Sequence, residues 1–272
     1  MESAQSWNDV ALDGATALAL LEWQREMGAD EPMLDAALDR FDLAQAAPKQ
    51  AAPAPAPPEP EPAPALASQT ALLDEARALA AAAATLDDLA DAQRGFAGLE
   101  LRQGARNFVF SDGKPGARLM ILGEAPGEEE DRQGKPFVGR AGQLLNQMLA
   151  AIGIARDAPW AEQAAYIANV LCWHPPGNRR PTPEEIALSR PFIARHVELA
   201  APDILVLMGN TSCAAALDQE GILRLRGNWT TAFGLPAMPM THPAYLLRNP
   251  PAKREAWADL LEIAARLERP PL

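Results

Sequence analysis

The chain has 272 residues, 48% hydrophobic and 22% charged, and contains no apolar run of about 18 residues, which excludes a transmembrane helix. Two cysteines cannot form a four-cysteine metal site, and with only three histidines a mixed zinc site is also hard to assemble. Cys172 and Cys213 are therefore expected to be reduced structural thiols. The net charge of −12 lies entirely in residues 1–95, which hold 17 acidic and 5 basic residues. Residues 96–272 hold 19 of each, so their net charge of zero does not exclude a nucleic-acid partner.

Residues 1–46 are predicted to be an acidic helical appendage, with two amphipathic helices from about residue 15. The acidic N-terminus lacks the basic stretch of a signal peptide, so the expected compartment is the cytoplasm. Residues 47–68 form an Ala/Pro-rich linker that favours an extended polyproline conformation and cannot pack a core. The helices are either a docking module for a protein partner or a passive appendage.

Residues 69–272 alternate between helical patterns and short apolar runs, which predicts an α/β fold. The expected architecture is a three-layer sandwich whose central, mostly parallel, four-stranded twisted sheet is flanked by helices. The predicted strands are Arg118–Gly123, Tyr166–Leu171, Asp203–Gly209 and Leu235–Met240. The main helices are predicted within 71–93, at 141–153, 183–200 and 211–217, and near the C-terminus. Ligands of such sheets bind beyond the carboxyl ends of the strands.

The loop after the first strand, GEAPGEEEDRQGKPFVGRAG (Gly123–Gly142), holds five acidic residues and matches neither a phosphate-binding loop nor a dinucleotide fingerprint. Carboxylates concentrated at a ligand edge favour water activation or stabilisation of a cation. Glu128 and Glu129 are interpreted as a charged surface, whereas Glu124, next to the strand end, is a candidate functional group.

The second and fourth strands also end in unusual residues. Asn169 lies within an apolar strand, where a buried amide must find partners as a structural group or as a ligand reader. The loop that follows carries Arg179 and Arg180, a natural contact for backbone phosphates. The fourth strand leads into His242. After it come three residues that are candidates for insertion into DNA, Tyr245, Leu246 and Leu247, and a cation, Arg248.

Taken together, GEAPGEEEDRQGKPFVGRAGQLL, NV…PPGNRRP and HPAYLLRNP, in this order and spacing, resemble the motif set of family 4 uracil-DNA glycosylases, the iron–sulfur type. The resemblance runs from roughly Phe96 to the C-terminus. It implies DNA repair by base excision, in which the enzyme hydrolyses the N-glycosidic bond of uracil and leaves an abasic site. No single motif would suffice; the agreement of several makes the resemblance specific.

The resemblance also implies roles for individual residues. Glu124 and Ala125 match positions that line the cleavage site, Phe137 matches the aromatic that stacks on uracil, and Asn169 matches the amide that reads the uracil edge. His242 matches the histidine that contacts the uracil oxygen beside the broken bond. The HPAYLLR loop resembles the segment that enters the duplex. Glu124 is the first choice for activating water; Glu130 and Asp131 are reserves.

The chain departs from the family at the cluster. Family members bind a 4Fe-4S cluster through four cysteines, and alignment on the surrounding motifs places at those positions Phe96, Leu99, Trp173 and Ser189. Cys172 lies beside the third position, and one thiolate cannot hold a cluster. We therefore expect no cofactor and an apolar plug in its place.

Two alternatives to a monomeric glycosylase stay open at this point. One is a member of the superfamily that binds uracil or DNA without cleaving. The other is a nucleotide hydrolase on a generic α/β fold, which would act on free nucleotides and be indifferent to DNA. Nothing after Asn169 resembles the basic loop insertion with which some members trap the abasic sugar, so ordinary turnover is expected.

Overall fold

A computed structural model describes residues 6–7, 10–11 and 64–268, with side chains from residue 69 onward. The chain divides into two units, Met1–Pro60 and Glu61–Leu272. In the first unit, strands β1 (Ser6–Trp7) and β2 (Val10–Ala11) pair antiparallel. The two helices predicted between residues 15 and 46, and most of the predicted linker, lie outside the described residues.

The second unit is built on a six-stranded sheet of order β3-β5-β4-β6-β8-β7. Its strands are β3 (Ser111–Gly113), β4 (Leu119–Gly123), β5 (Ala165–Asn169), β6 (Ile204–Met208), β7 (Thr230–Ala232) and β8 (Leu235–Met240). The inner four, β5, β4, β6 and β8, are parallel and correspond to the four predicted strands. The prediction missed β3 and β7, which extend the sheet to six strands by antiparallel pairing at its two edges.

Helices cover both faces of this sheet. They are α1 (Pro64–Ala82), α2 (Leu86–Gly95), α3 (Glu128–Gln133), α4 (Arg140–Ala150), α5 (Pro183–Ala200), α6 (Asn210–Leu217), α7 (Ile222–Leu225), α8 (Pro243–Arg248) and α9 (Lys253–Leu267). Helix α1 begins within the segment predicted as linker, since proline is tolerated in a first helical turn. In the described part of the chain, no helix is long and apolar enough to cross a membrane.

The core has one layer on each side of the sheet, because the residues of β4, β5 and β6 are all buried. One layer contains Tyr166, Leu205 and Cys213, and the other contains Ile121, Leu145 and Ile263. A third cluster joins α1, α2 and α5 around Phe96 and Phe192. Continuous burial on both faces explains why these strands read as unbroken apolar runs rather than as alternating patterns.

Candidate active site

The carboxyl ends of the parallel strands bring the predicted site residues to one rim of the sheet. Gly123, the last residue of β4, pairs with Asn169, the last residue of β5. A Cβ atom at position 123 would lie 2.3 Å from Asn169 Oδ1 and 2.5 Å from the Phe137 ring. Glycine is therefore required here, because the amide and the aromatic ring approach the same stretch of backbone.

The rim continues from Phe137 to His242. Their rings are stacked, with centroids 5.4 Å apart and planes inclined by 28°. His242 follows β8, and a Cβ atom at Gly209, the residue after β6, would lie 3.5 Å from His242 Cβ. The loops after β4, β5 and β8 thus converge at one rim, as expected for the carboxyl ends of parallel strands, and the loop after β6 joins them.

The side chain of His242 is held in one protonation state. It caps helix α8, with Nδ1 accepting a hydrogen bond from the backbone N–H of Ala244 at 3.2 Å. Burial lowers the pKa of His242 to about 4, opposed by the charge of Glu130 and assisted by that of Arg248. The imidazole is therefore neutral at pH 7, and because Nδ1 accepts, we assign the proton to Nε2, which is a donor.

Asn169 carries an unsatisfied acceptor at this rim. The residue is 4% exposed, and Oδ1 is buried with no hydrogen-bond partner within the protein. Leaving a buried polar atom unpaired costs about 1–3 kcal/mol, so the arrangement suits a group that a ligand will satisfy.

The three candidate carboxylates have different partners. Glu124 accepts a hydrogen bond from the Thr211 hydroxyl at 2.7 Å. Glu130 accepts from the backbone N–H groups of Gly127, Val138 and Gly139, which shapes the loop that carries Phe137. Asp131, a buried carboxylate, accepts from the backbone N–H groups of two residues before β3, Arg106 and Asn107. The two reserve carboxylates therefore organise loops, which favours Glu124 as the chemical group.

Thr211 was not predicted from the sequence. It lies in the first turn of α6, directly after β6 and Gly209, and holds the Glu124 carboxylate. Its position just beyond a strand end at the same rim was the available signal. Of the two acidic residues interpreted as surface, Glu128 is exposed and Glu129 pairs with Arg132.

The segment predicted to enter DNA requires one correction. Leu247 and Arg248 are exposed and Tyr245 is half-buried, but Leu246 is 1% exposed and belongs to the core. The reason is that the segment folds as helix α8, so successive side chains point about 100° apart and cannot all face outwards. Leu246 is therefore a packing residue and not a wedge.

The predicted phosphate contacts differ in availability. Arg180 is exposed. The guanidinium of Arg179 donates to both carboxylate oxygens of Glu185, at 2.8 and 2.6 Å, and Glu185 itself caps helix α5. Because an exposed ion pair is weak, Arg179 can exchange this partner for a phosphate at small cost.

The positions that correspond to cluster ligands lie in the third core cluster and beside it. Phe96, Leu99 and Ser189 are at most 2% exposed, and Phe96 packs on Phe192 with centroids 5.4 Å apart. The Trp173 ring packs on Phe108 at 4.9 Å. None of these side chains supplies a thiolate, which cluster iron requires, so the residues present do not fit the group.

The two cysteines do not offer a substitute. The Cys172 thiol donates to Gln93 Oε1 at 3.4 Å, and burial raises its pKa to about 12. Burial likewise raises the pKa of Cys213, on α6, to about 12. Among the described residues, no group of three or more His, Cys, Asp or Glu side chains is arranged to hold a metal ion.

Comparison with known proteins gives concordant matches. Residues 110–261 match the family model of the "Uracil DNA glycosylase superfamily". A type-4 uracil-DNA glycosylase of Thermotoga maritima is 42% identical over 53% of this chain and 73% of the relative. Enzymes of the same name from Saccharolobus solfataricus and Archaeoglobus fulgidus are 32% and 33% identical, over 69% and 66% of this chain and 88% and 92% of the relatives.

Proposed function

The chain belongs to the uracil-DNA glycosylase superfamily, and from that membership we propose that it hydrolyses the N-glycosidic bond of uracil in DNA and leaves an abasic site. The observation that carries the proposal is the unpartnered Oδ1 of Asn169, buried beside the Phe137 ring at the rim where His242 also lies. An amide acceptor awaiting a partner next to an aromatic face suits a flat heterocycle with an N–H on its edge.

Uracil recognition follows from these groups. The Phe137 ring supplies a stacking face, and Ala125, half-buried after Glu124, borders the same site. The Asn169 amide accepts from uracil N3–H and donates to O4. Cytosine presents the opposite polarity at both atoms, and each mismatched buried group costs about 1–3 kcal/mol. Discrimination between the two bases therefore rests on one side chain.

Bond cleavage leaves negative charge on the departing uracil and positive charge on the sugar. The Nε2–H of neutral His242 donates to uracil O2, where the anion forms, and no proton needs to be removed first. Glu124, oriented by Thr211, places a carboxylate that offsets the cationic sugar and orients the attacking water.

DNA engagement requires the uracil to leave the stack, because the glycosidic bond is inaccessible within the duplex. Leu247 and Arg248, with Tyr245 behind them, are assigned to the space that the base vacates, and Arg179 and Arg180 to backbone phosphates. The partner is therefore uracil-containing DNA, bound through local cations rather than net charge.

Base release from an oligonucleotide tests the function. The protein is incubated with a single-uracil oligonucleotide, single- or double-stranded, and treated with alkali; strand breaks at the uracil are expected. Tight binding without breaks would instead support the superfamily member that binds and does not cleave. Hydrolysis of free nucleotides with indifference to DNA would support the nucleotide hydrolase.

We further propose that the enzyme works without an iron–sulfur cluster, because the ligand positions hold Phe96, Leu99, Trp173 and Ser189. Protein produced in iron-depleted medium should have the same specific activity and melting temperature as protein from iron-supplemented medium. Stoichiometric iron together with activity that chelation abolishes would refute this proposal.

The proposal extends to the compartment, the assembly state and the N-terminal segment of the protein. We assign the protein to the cytoplasm, as a monomer. Residues 1–46 are assigned to the docking of a protein partner, with a passive appendage as the alternative. The linker predicted at residues 47–68 is assigned to a spacer up to the start of helix α1 at Pro64. Size-exclusion chromatography with light scattering tests the assembly, and a dimer mass at micromolar concentration would contradict it.

A further inference from the structure

The backbone of Phe137 adopts a conformation that a phenylalanine does not take unaided. Its φ is +52°, in the left-handed region that favours glycine. The residue is nevertheless 4% exposed, with its ring in a defined position at the rim of the sheet. A strained backbone of this kind persists only where the surroundings hold it.

Arg156 supplies much of that restraint. It lies outside the acidic loop, between α4 and β5, and its side chain is 14% exposed. Its guanidinium donates to the carbonyl oxygens of Phe137, at 2.7 Å, and of Pro136, at 3.0 Å. It also donates to Asn146 Oδ1 on α4 at 2.9 Å, so the loop is tied to a helix.

Asp112 in turn holds Arg156. Its carboxylate lies on edge strand β3 and accepts from Arg156 Nη1 at 2.9 Å, while Lys135 Nζ approaches to 3.4 Å from within the loop. Burial acts to raise the pKa of Asp112, but the Arg156 hydrogen bond and the Lys135 charge outweigh it, and the pKa is lowered overall. The carboxylate is therefore charged at neutral pH.

We propose that Arg156, held by Asp112, is a positioning residue for uracil recognition, which fixes the plane of the Phe137 ring through the Phe137 carbonyl. Glu130 accepts from the N–H groups of Val138 and Gly139, and the Val138 N–H belongs to the same peptide unit as the Phe137 carbonyl. The peptide unit after the stacking residue is thus held by Arg156 at its oxygen and by Glu130 at its N–H, while Arg156 also holds the unit before it through the Pro136 carbonyl. The inference rests on the proposed function, in which Phe137 stacks on uracil.

Arg156 would raise the affinity for uracil by holding the Phe137 ring in its binding orientation before uracil arrives. A ring already fixed against Gly123 and His242 loses little conformational freedom when uracil stacks on it, so affinity for the base rises. Loosening the carbonyl clamp lets the ring sample other orientations. Uracil affinity then falls even though no contact with uracil is removed.

The test measures the dissociation constant for free uracil by calorimetry, and kcat/KM on uracil-containing DNA, for Arg156→Lys and Asp112→Asn. The matched control is Arg118→Lys: Arg118 also pairs with a carboxylate, Asp203, and a backbone carbonyl, but at the opposite end of β4. We expect the uracil dissociation constant to rise about threefold or more in both test variants and to stay within about twofold in the control.

A double-mutant cycle separates positioning from general destabilisation. In a Phe137→Ala background, Arg156→Lys should change uracil affinity by less than about twofold, because the residue through which it acts is gone. An equal effect in both backgrounds, or an effect no larger than that of Arg118→Lys, would overturn the inference. If Arg156→Lys does not fold, Asp112→Asn in the same cycle decides the question.

Failure of the positioning role and failure of the proposed function give different results, because uracil binding is measured directly. A wild-type protein that neither binds nor releases uracil refutes the function. A wild-type protein that does both, with Arg156 and Asp112 variants matching the control, refutes only the positioning role.

Discussion

Four buried side-chain atoms in the described part of the chain have no hydrogen-bond partner within the protein, and they fall into two pairs. Asn169 Oδ1 lies at the end of β5, and Thr241 Oγ1 belongs to the residue that directly follows β8. Trp173 Nε1 and Ser189 Oγ belong to two of the positions that align with cluster ligands of family 4 uracil-DNA glycosylases. Of these four atoms, Asn169 Oδ1 is the one that the proposed function pairs with substrate.

Asn169 is the residue whose loss should affect uracil excision most selectively. Asn169→Ala removes the acceptor for N3–H and the donor to O4, and at about 1–3 kcal/mol for each lost buried partner we expect kcat/KM to fall at least tenfold. Single-turnover assays on a uracil oligonucleotide measure the change.

Ser189→Ala is the matched control, since it also deletes part of a buried, unpartnered polar side chain. Ser189 lies on helix α5, which contributes to the third core cluster and not to the rim of the sheet, so excision activity should not change. The free energy of unfolding should stay level or rise, because the variant removes a buried hydroxyl that has no partner. Equal loss of activity in both variants would show that Asn169 acts through stability and not through recognition.

His242 should give the activity an unusual pH profile. Burial lowers the pKa of His242 to about 4, so the residue stays neutral where an ordinary histidine, with a pKa near 6.5, would be half protonated. The donor to uracil O2 is the neutral form, so kcat/KM should show no inflection attributable to His242 between about pH 5 and 8. An acid limb near pH 6.5 that disappears in His242→Gln would contradict this assignment.

At the scale of elements, the sequence was most informative where burial is complete. The four inner strands were predictable because short apolar runs that alternate with helical patterns indicate buried parallel strands. The edge strands β3 and β7 were missed because three residues, SDG and TTA, carry no pattern of their own and pair only once the sheet exists.

The same limit applies to the site. The positions of Glu124, Asn169 and His242 at or just beyond strand ends were predictable, and Phe137 was predicted from the family motif; their roles in excision stay predictions. Asp112 and Arg156 carry no motif, and their relation exists only because β3 pairs with β5 and brings residue 112 beside the loop. Leu246 was misassigned because the helical geometry of α8, which alternates its faces, was not foreseen.

The junction between the acidic loop and α4 should tolerate no side chain at Gly142. A Cβ atom there would lie 1.9 Å from the Phe137 carbonyl oxygen, a backbone atom that also binds Arg156. Gly142→Ala should therefore lower the free energy of unfolding, although alanine gains about 1 kcal/mol in a helix interior, and should weaken uracil binding as Phe137 moves. Thermal melts and uracil calorimetry measure both effects.

Gly95→Ala controls for helix propensity. Gly95 ends α2, and a Cβ atom there would have no neighbour within 4 Å. We expect the free energy of unfolding to stay level or rise by about 0.5–1 kcal/mol, with unchanged uracil affinity. A stable, fully active Gly142→Ala would show that the loop and helix need not approach as closely as the structure has them.

At the scale of the whole molecule, charge and chemistry are separated along the sequence. The excess negative charge lies in residues 1–95, whereas the site, the exposed Arg180 and Arg248 and the paired Arg179 belong to residues 96–272, which are neutral overall. Electrostatic attraction to DNA therefore depends on a few local cations. The affinity should fall steeply with salt, in proportion to the number of phosphates that these cations contact.

Stability of the whole fold should fall as the pH drops below neutrality, because the pKa values of two histidines are lowered in the folded state. Burial lowers the pKa of His196 to about 3, and its Nε2 lies 2.8 Å from the Tyr166 hydroxyl, while the pKa of His242 is about 4. Both folded-state values lie below the unfolded value of about 6.5, so the unfolded chain binds more protons as the pH falls. Between about pH 6 and pH 5, each histidine should lower the free energy of unfolding by about 1.4 kcal/mol per pH unit, and the effect ends as the pH approaches the folded-state pKa values.

Urea unfolding at several pH values between 7 and 5 measures this slope, in a range where the lowered carboxyl pKa values of Asp112 and Glu185 keep those groups charged in the folded state. His196→Gln removes one of the two protons, and the slope should fall to about half, whatever the variant's stability at pH 7. A slope that is unchanged in His196→Gln, or no slope in the wild type, would mean that His196 is not buried as the neutral partner of Tyr166. Because His196 stacks on Phe110, directly before β3, such a result would also weaken the account of how the edge strand that carries Asp112 is held.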